Sequence, residues 1–421
     1  MSFSNSLFSR TNTTEMSKIL YAWELGAGYG HIARFLTIAQ QLKQRGHQII
    51  FALKNLEHAD ILLGKNQFHY LQSPIRWPTS NTMPAAYSYP GILKNAGFDN
   101  LSGLIGRVHA WQSLYRYTKP DLILFDHAPT ALLAARPLDI PKALFGAGFF
   151  APPVVTPMPC IRPLLKISEK ELLRMELEVL DSTNSALQML DYDPLTRLAD
   201  LFNVNENFLC TFEELDHYQN RKKDSYWGPS LYQSGGIKPQ WPSIGGNKIF
   251  AYLNLSHPGL ETLLQQLKNS AYSVLVHIAG ITPAFIQKHS GANLHISPHP
   301  YQLSEVCEQC DMAICHGGIA TISSFLLSGK PLLILPFHLE QWLCALNLES
   351  LGAGKHITTE TKKPNYRNTI SEILTNPKYK LAAAAFANKY ANFSTEQQAS
   401  KISLRCEELI NLSKKTANSD S

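Results

Sequence analysis

Two predominantly apolar runs in this chain each lead into a cluster of glycines and a histidine, then give way to a helical pattern. The first, 18–23, leads into Gly26-Ala27-Gly28-Tyr29-Gly30-His31 and a helix over 32–45. The second, 312–315, leads into His316-Gly317-Gly318-Ile319-Ala320-Thr321 and a helix that opens at 319. Short runs with no polar face read as strands buried on both sides, the kind found in parallel sheets covered by helices. The glycines permit a sharp strand-to-helix turn and leave unpaired N–H groups, with the positive helix end, aimed at one spot. That geometry holds an anion. Two such junctions predict two nucleotide-binding-like α/β halves facing one another.

A chain of 421 residues suits two domains, each able to bury its own core. The expected division is a disordered leader over 1–17, an N-terminal domain over 18–225 and a linker over 226–245. A C-terminal domain with terminal helices then covers 246–412, and a frayed tail 413–421. The linker expectation rests on Tyr226-Trp227-Gly228-Pro229 and Trp241-Pro242, dense in glycine and proline. In the first half, strands are expected at 18–23, 48–53, 122–126 and 142–146, with aromatic-faced helices between 88 and 117. The proline-rich, apolar stretch 149–163 reads as a loop over a cleft, and 168–189 as a helix. In the second half, strands at 248–253, 273–277, 294–297 and 331–336 alternate with helices at 259–268, 300–309, 341–351 and from 370 to 410. The leader is rich in Ser, Asn and Thr, lacks an apolar segment, and leaves Met1 and Met16 as alternative starts.

Composition narrows the partners. Hydrophobic residues make up 44% and charged residues 17%, a globular and rather apolar chain. The formal charge of +5, from 38 basic and 33 acidic residues with no basic block, does not imply nucleic-acid binding. Seven scattered cysteines, an odd number, fit reduced thiols in a cytoplasmic protein better than a disulfide framework. No apolar run approaches the length of a transmembrane helix.

The segment His316-Gly317-Gly318, Thr321, Gly329, Pro331, Pro336, Glu340-Gln341, Ala345, Leu351-Gly352 and Gly354 resembles the donor signature of a known group of enzymes. These are nucleotide-sugar-dependent glycosyltransferases of the two-domain GT-B fold, the family of plant secondary-metabolite (UDP-glycosyltransferase) and bacterial macrolide enzymes. Gly28-Tyr29-Gly30-His31, with Arg45-Gly46-His47 before the next strand, is similar to the acceptor-side signature of the same group. The resemblance implies two Rossmann-like parallel-sheet domains facing across a cleft. It also implies an inverting, metal-independent transfer from a UDP- or dTDP-sugar to a hydroxyl of an apolar small-molecule or lipid acceptor. No cofactor is implied, the nucleotide sugar being a co-substrate; contact with a membrane surface and the oligomeric state stay open.

Such a transfer needs a base, a cradle for the departing diphosphate and a grip on the sugar. His31 is the candidate base, since imidazole takes a proton near neutral pH. Asp126, at the carboxyl end of a strand, is the candidate partner that orients it and stabilises the imidazolium. The resemblance assigns donor binding to His316, Gly317, Gly318 and Thr321 around the diphosphate and to Glu340 and Gln341 at the sugar hydroxyls. Where the family carries a ribose-binding glutamate, this chain has Ser324, which can make one hydrogen bond but not a charged bidentate one. That departure motivates the rival reading, a non-catalytic GT-B protein that binds a sugar nucleotide or activates a partner enzyme. Cys307-Glu308-Gln309-Cys310 is half of a zinc spacing without its second half, and Asp191-Tyr192-Asp193 reads as a turn. Trp111 and Tyr115 read as core rather than as a substrate platform.

Overall fold

Strands with apolar side chains on both faces can be covered only by helices on both sides. In the computed structural model they form two parallel sheets of six strands each. The structure describes residues 16–26, 28, 30–57, 59–77, 84–218, 221, 226–231 and 235–419. The leader over 1–15, Ala27 and Tyr29 of the first junction, and the last two positions of the tail lie outside the described residues.

The first sheet consists of β1 (Lys18–Trp23), β2 (Gln48–Leu53), β3 (His69–Gln72), β4 (Leu122–Asp126), β5 (Lys142–Gly146) and β6 (Glu206–Leu209), in the order β3-β2-β1-β4-β5-β6. The second consists of β7 (Lys248–Leu253), β8 (Ser273–Ile278), β9 (Leu294–Ser297), β10 (Met312–Cys315), β11 (Leu332–Ile334) and β12 (Gly354–His356), in the order β12-β11-β10-β7-β8-β9. Both halves thus repeat one doubly wound order, which reverses direction between β1 and β4 and again between β7 and β10. A crevice opens at the carboxyl ends of the strands that flank such a reversal.

The helices used below are α1 (Gly30–Gln44), α2 (Leu101–Thr118), α3 (Pro129–Ala134), α4 (Glu169–Met189), α5 (Ile319–Leu327), α6 (Leu339–Ser350) and α7 (Thr395–Ser419). Alternation along β1 separates two layers. Leu20 and Ala22 join Leu104, Val108, Trp111 and Tyr115 of α2. Ile19, Tyr21 and Trp23 join Phe35, Leu36 and Leu42 of α1. Trp111 and Tyr115 are core, whereas Tyr117 of the same aromatic stripe is exposed.

The domain expectations need three corrections. Phe212 and Leu215, expected in the first domain, pack in the core of the second, where Phe212 meets Phe386 at 5.1 Å and Tyr390 at 4.0 Å. The chain leaves β6 at the cleft end, which puts these residues beside the neighbouring half. Of the expected tail over 413–421, residues 413–419 are instead the last part of α7, and the final two lie outside the described residues. Lastly, α7 belongs to the first domain rather than to the second. Its Ala399, Ile402, Cys406, Leu409 and Ile410, three or four residues apart, form one apolar stripe buried with α1. Arg45 forks onto Glu407 through Nε at 2.8 Å and Nη2 at 2.5 Å, and His47 Nε2 lies 2.9 Å from the same carboxylate. Between the halves, Trp227 donates its backbone N–H to Leu209 in the first domain, and Ile237 donates to Pro300 in the second. Among the described residues no helix is long and apolar enough to cross a membrane.

Candidate active site

β1 and β4 are neighbours with Trp23 opposite Asp126, so the junction after β1 and the end of β4 share one edge of the crevice. His31, in the first turn of α1, directs Nδ1 to within 2.9 Å of Asp126 Oδ2, and its ring stacks on Trp23 at 4.8 Å. A carboxylate can only accept, so Nδ1 carries the proton and Nε2 keeps its lone pair. Gly26 gives that nitrogen its room: it sits at φ +86°, and a Cβ there would fall 2.6 Å from His31 Nε2. Burial holds the His31 pKa below the ordinary imidazole value, with Asp126 opposing. The imidazole is therefore neutral near pH 7.

Two further residues, not singled out in the sequence, complete this pair. The Tyr21 hydroxyl lies 2.5 Å from Asp126 Oδ2, to which it donates, and equally close to the His31 carbonyl. Arg34, one turn beyond His31 on α1, places Nη1 3.8 Å from Asp126 Oδ1, and its guanidinium lies over the Phe150 ring at 5.4 Å. Burial by itself would raise the Asp126 carboxyl, but His31, Arg34 and the Tyr21 hydrogen bond outweigh it and hold it below the usual carboxylate range. Spacing was the available signal for Arg34, since positions three apart on a helix share a face. Tyr21 faces this site because it alternates with the residues on the opposite side of β1.

On the other side of the cleft, β10 ends at Cys315 and α5 begins at Ile319 with Gly318 as its N-cap. Gly317 has φ +94°, and a Cβ would lie 2.9 Å from the Gln341 carbonyl oxygen and 3.0 Å from Ile334 Cγ2. Only glycine fits that turn without a shift. His316 donates Nδ1–H to the Leu335 carbonyl at 2.8 Å, while its buried Nε2 has no partner in the structure. Burial pushes its pKa down to about 4. His257, which the sequence reading missed, lies 5.7 Å from His316 ring to ring and also has an unpartnered, buried Nε2. Thr321 is half-buried in the first turn of α5. Ser324 turns its hydroxyl back to the Ala320 carbonyl at 2.9 Å, so its proton is committed within the helix.

Glu340 and Gln341 open α6. Gln341 Oε1 accepts from the Phe337 N–H at 2.8 Å, which orients the side chain. Burial pushes the Glu340 carboxyl up to about 7, against the pull of Arg34. Arg34 belongs to the other half of the chain, so this carboxyl and that cation act on each other across the cleft. The same helix seals the cleft floor: Leu343 packs with Phe149, Phe150, Ile161 and Tyr218 of the first half, and Cys344 Sγ lies 3.2 Å from His217 Nε2. Cys307 and Cys310 are buried in the core of the second domain. Among the described residues no three His, Cys, Asp or Glu side chains converge as metal ligands.

Residues 244–401 match the glycosyltransferase family 28 C-terminal domain. The chain is a GT-B glycosyltransferase. Over 391 residues this glycosyltransferase is 24% identical to a PGL/p-HBAD biosynthesis rhamnosyltransferase of Mycobacterium bovis (strain BCG / Pasteur 1173P2), covering 86% of this chain and 81% of that one. Its fold is similar to that of the calicheamicin glycosyltransferase CalG4, with TM-score 0.70, 16% identity and 94% of this chain matched to 98% of that one. It is also similar to glycosyltransferase VinC in complex with dTDP, with TM-score 0.66, 14% identity and coverage of 93% and 99%.

Proposed function

We propose that the protein is an inverting, metal-independent glycosyltransferase that moves a sugar from a dTDP- or UDP-sugar to a hydroxyl of an apolar small-molecule or lipid acceptor. The observation that carries this reading is the His31–Asp126 pair at one sheet's reversal point, facing the His316–Gly317–Gly318 junction at the other's. His31 Nε2 takes the proton of the acceptor hydroxyl, whose oxygen attacks the anomeric carbon. The bond from that carbon to the diphosphate oxygen breaks, and its electron pair leaves with the nucleoside diphosphate. A single displacement of this kind inverts the anomeric centre. Asp126 stabilises the imidazolium as it forms, while the unpaired N–H groups at the start of α5, with His316, take up the charge of the leaving group. The first half's aromatic lining supports an apolar acceptor, and the dTDP bound by VinC supports one of the two proposed nucleotides. The exposed Leu164 and Leu165, next to Lys166, support a peripheral membrane contact on the acceptor side. Seven free thiols are in keeping with the cytoplasm. The nucleotide sugar is the co-substrate in this reading, without a resident cofactor.

The test is a thermal-shift panel of UDP, dTDP, GDP and their common sugars, since a ligand at about 100 times its Kd adds roughly 2.7 kcal/mol to stability. A selective shift names the donor, and acceptor-dependent release of that nucleoside diphosphate confirms transfer. A panel without any shift contradicts the reading.

The donor side carries a pH signature. His316 Nε2 can contact a phosphate oxygen only as N–H, and Nδ1 already carries a proton, so binding through it requires the imidazolium. The free-state pKa is about 4, so an anion bound there raises it and takes up a proton. Affinity for an intact sugar nucleotide therefore falls as pH rises from about 4 to the pKa of the bound state, by up to about tenfold per unit. Calorimetric titration across that range is expected to show the slope in the wild type and to lose it in His316→Gln. A flat wild-type profile argues against the contact.

A further inference from the structure

The residue that follows Asp126 carries two unfavourable features at once. His127 adopts φ +47°, a left-handed conformation uncommon for a side chain with a Cβ, and its backbone is held there by the hydrogen bond that its carbonyl accepts from Leu25. Its ring is 7% exposed, yet neither Nδ1 nor Nε2 has a partner. Both features cost free energy, and such costs persist where function requires them. Next to it, the phenol of Tyr89 is 1% exposed and its oxygen is also unpartnered; the two rings are 6.2 Å apart.

These groups lie beside the base. Phe150 stacks on His127 at 4.3 Å and is 5.3 Å from the His31 ring, so one phenylalanine covers both imidazoles. The turn that carries Phe150 is fixed, because Arg221 Nη2 donates to the carbonyls of Gly148 and Ala151 at 3.0 and 2.7 Å. A ligand that reaches His127 would therefore have to displace the Phe150 side chain rather than its backbone. Burial keeps the His127 imidazole neutral, with a pKa of about 3, so it offers one N–H and one lone pair. The Tyr89 phenol likewise donates and accepts without charge.

We propose that His127 and Tyr89 form a recognition subsite for a second, uncharged hydrogen-bonding group of the acceptor, placed next to the hydroxyl that His31 deprotonates. This rests on the glycosyltransferase reading and adds the acceptor class: an apolar molecule with a neighbouring hydroxyl or carbonyl, as opposed to a lone hydroxyl or an anion. The two groups that would meet the ligand are themselves neutral and each offers a donor and an acceptor, so the pair matches an uncharged hydrogen-bonding group rather than an ion. A site built to hydrogen-bond a substrate discriminates strongly against the analogue that lacks the group.

Calorimetric binding of 2,3-dihydroxynaphthalene and 2-naphthol to the full chain tests this without turnover. The diol is expected to bind the wild type at least about tenfold more tightly than the mono-ol. Tyr89→Phe is expected to remove most of that gap while dTDP affinity stays unchanged. Its melting temperature should hold or rise, because a buried hydroxyl without a partner is deleted. His127→Asn, which tolerates the left-handed backbone, should reduce the gap in the same direction. Equal affinity for both probes in the wild type overturns the proposal. So does a gap that survives Tyr89→Phe, or a lowered melting temperature with the gap intact, which would make the residue structural. Failure of the glycosyltransferase reading is seen separately, as a chain that releases no nucleoside diphosphate from any sugar nucleotide with any acceptor.

Discussion

His31→Ala is expected to lower turnover by about 10²–10⁴-fold, the usual contribution of a positioned general base, while leaving sugar-nucleotide affinity unchanged. The separation follows from geometry. His31 belongs to the junction after β1, whereas the Gly317–Gly318 turn is built by β10 and α5 in the other half. Removing the imidazole also leaves a gap beside Trp23, on which it stacks, so a modest loss of thermal stability accompanies the loss of rate. Initial rates of nucleoside diphosphate release at saturating acceptor, with calorimetric donor binding on the same sample, measure both quantities. Transfer at the wild-type rate would remove His31 from the mechanism. A parallel collapse of donor binding would show that the two sides of the cleft are not independent.

Asp126→Asn has a different signature. Asp126 is wholly buried and receives Tyr21, His31 and Arg34 together. Replacing its charge removes the nearest counter-ion of the Arg34 guanidinium, a change of the kind that costs up to about 3–5 kcal/mol when a buried pair is broken. It also removes stabilisation of the imidazolium, with an expected loss of about 10²–10⁴ in kcat. The sign of the pH effect is fixed by electrostatics. The Asp126 charge raises the His31 pKa against burial, so its removal lowers that pKa further. The acid limb of kcat/KM should move to lower pH even as the plateau falls. A limb that stays in place would show that Asp126 does not face the base in its charged form.

How much of this could be read in advance depended on the range of the signal. The runs that became β1 and β10 have no polar face, and the glycines after them have no other common use, so strand, turn and helix were all legible locally. Asp126 was legible as the residue ending β4. His-Tyr-Leu-Gln of β3 and Gly-Lys-His of β12 were not, because both are short edge strands with exposed or half-exposed side chains, and β6 begins with polar Glu206 and Asn207. In the site, His31, His316, Gly317 and Gly318 were marked by the junctions themselves. Arg34 was signalled only by its spacing from His31 on α1, while Tyr21, His127 and His257 depend on what the sheet brings beside them. Ser324 could be noted as a departure, but its turn back to Ala320 is a rotamer choice that no spacing reveals. The stripe on α7 was recognisable as one apolar face, yet a periodicity does not name the domain it covers.

That last helix has a consequence for anyone wishing to recombine this enzyme with its relatives. Because α7 closes over α1, the helix that carries His31, the first half is discontinuous in the gene: its final piece is encoded after the whole second half. A chimera joined once, near residue 230, would import a foreign α7 and set it against a native α1, mismatching the Arg45, His47 and Glu407 cluster and the apolar stripe. The second half is exchanged as an insertion between two splice points, one near 230 and the other just before Thr395, so that each first half keeps the helix it was built around.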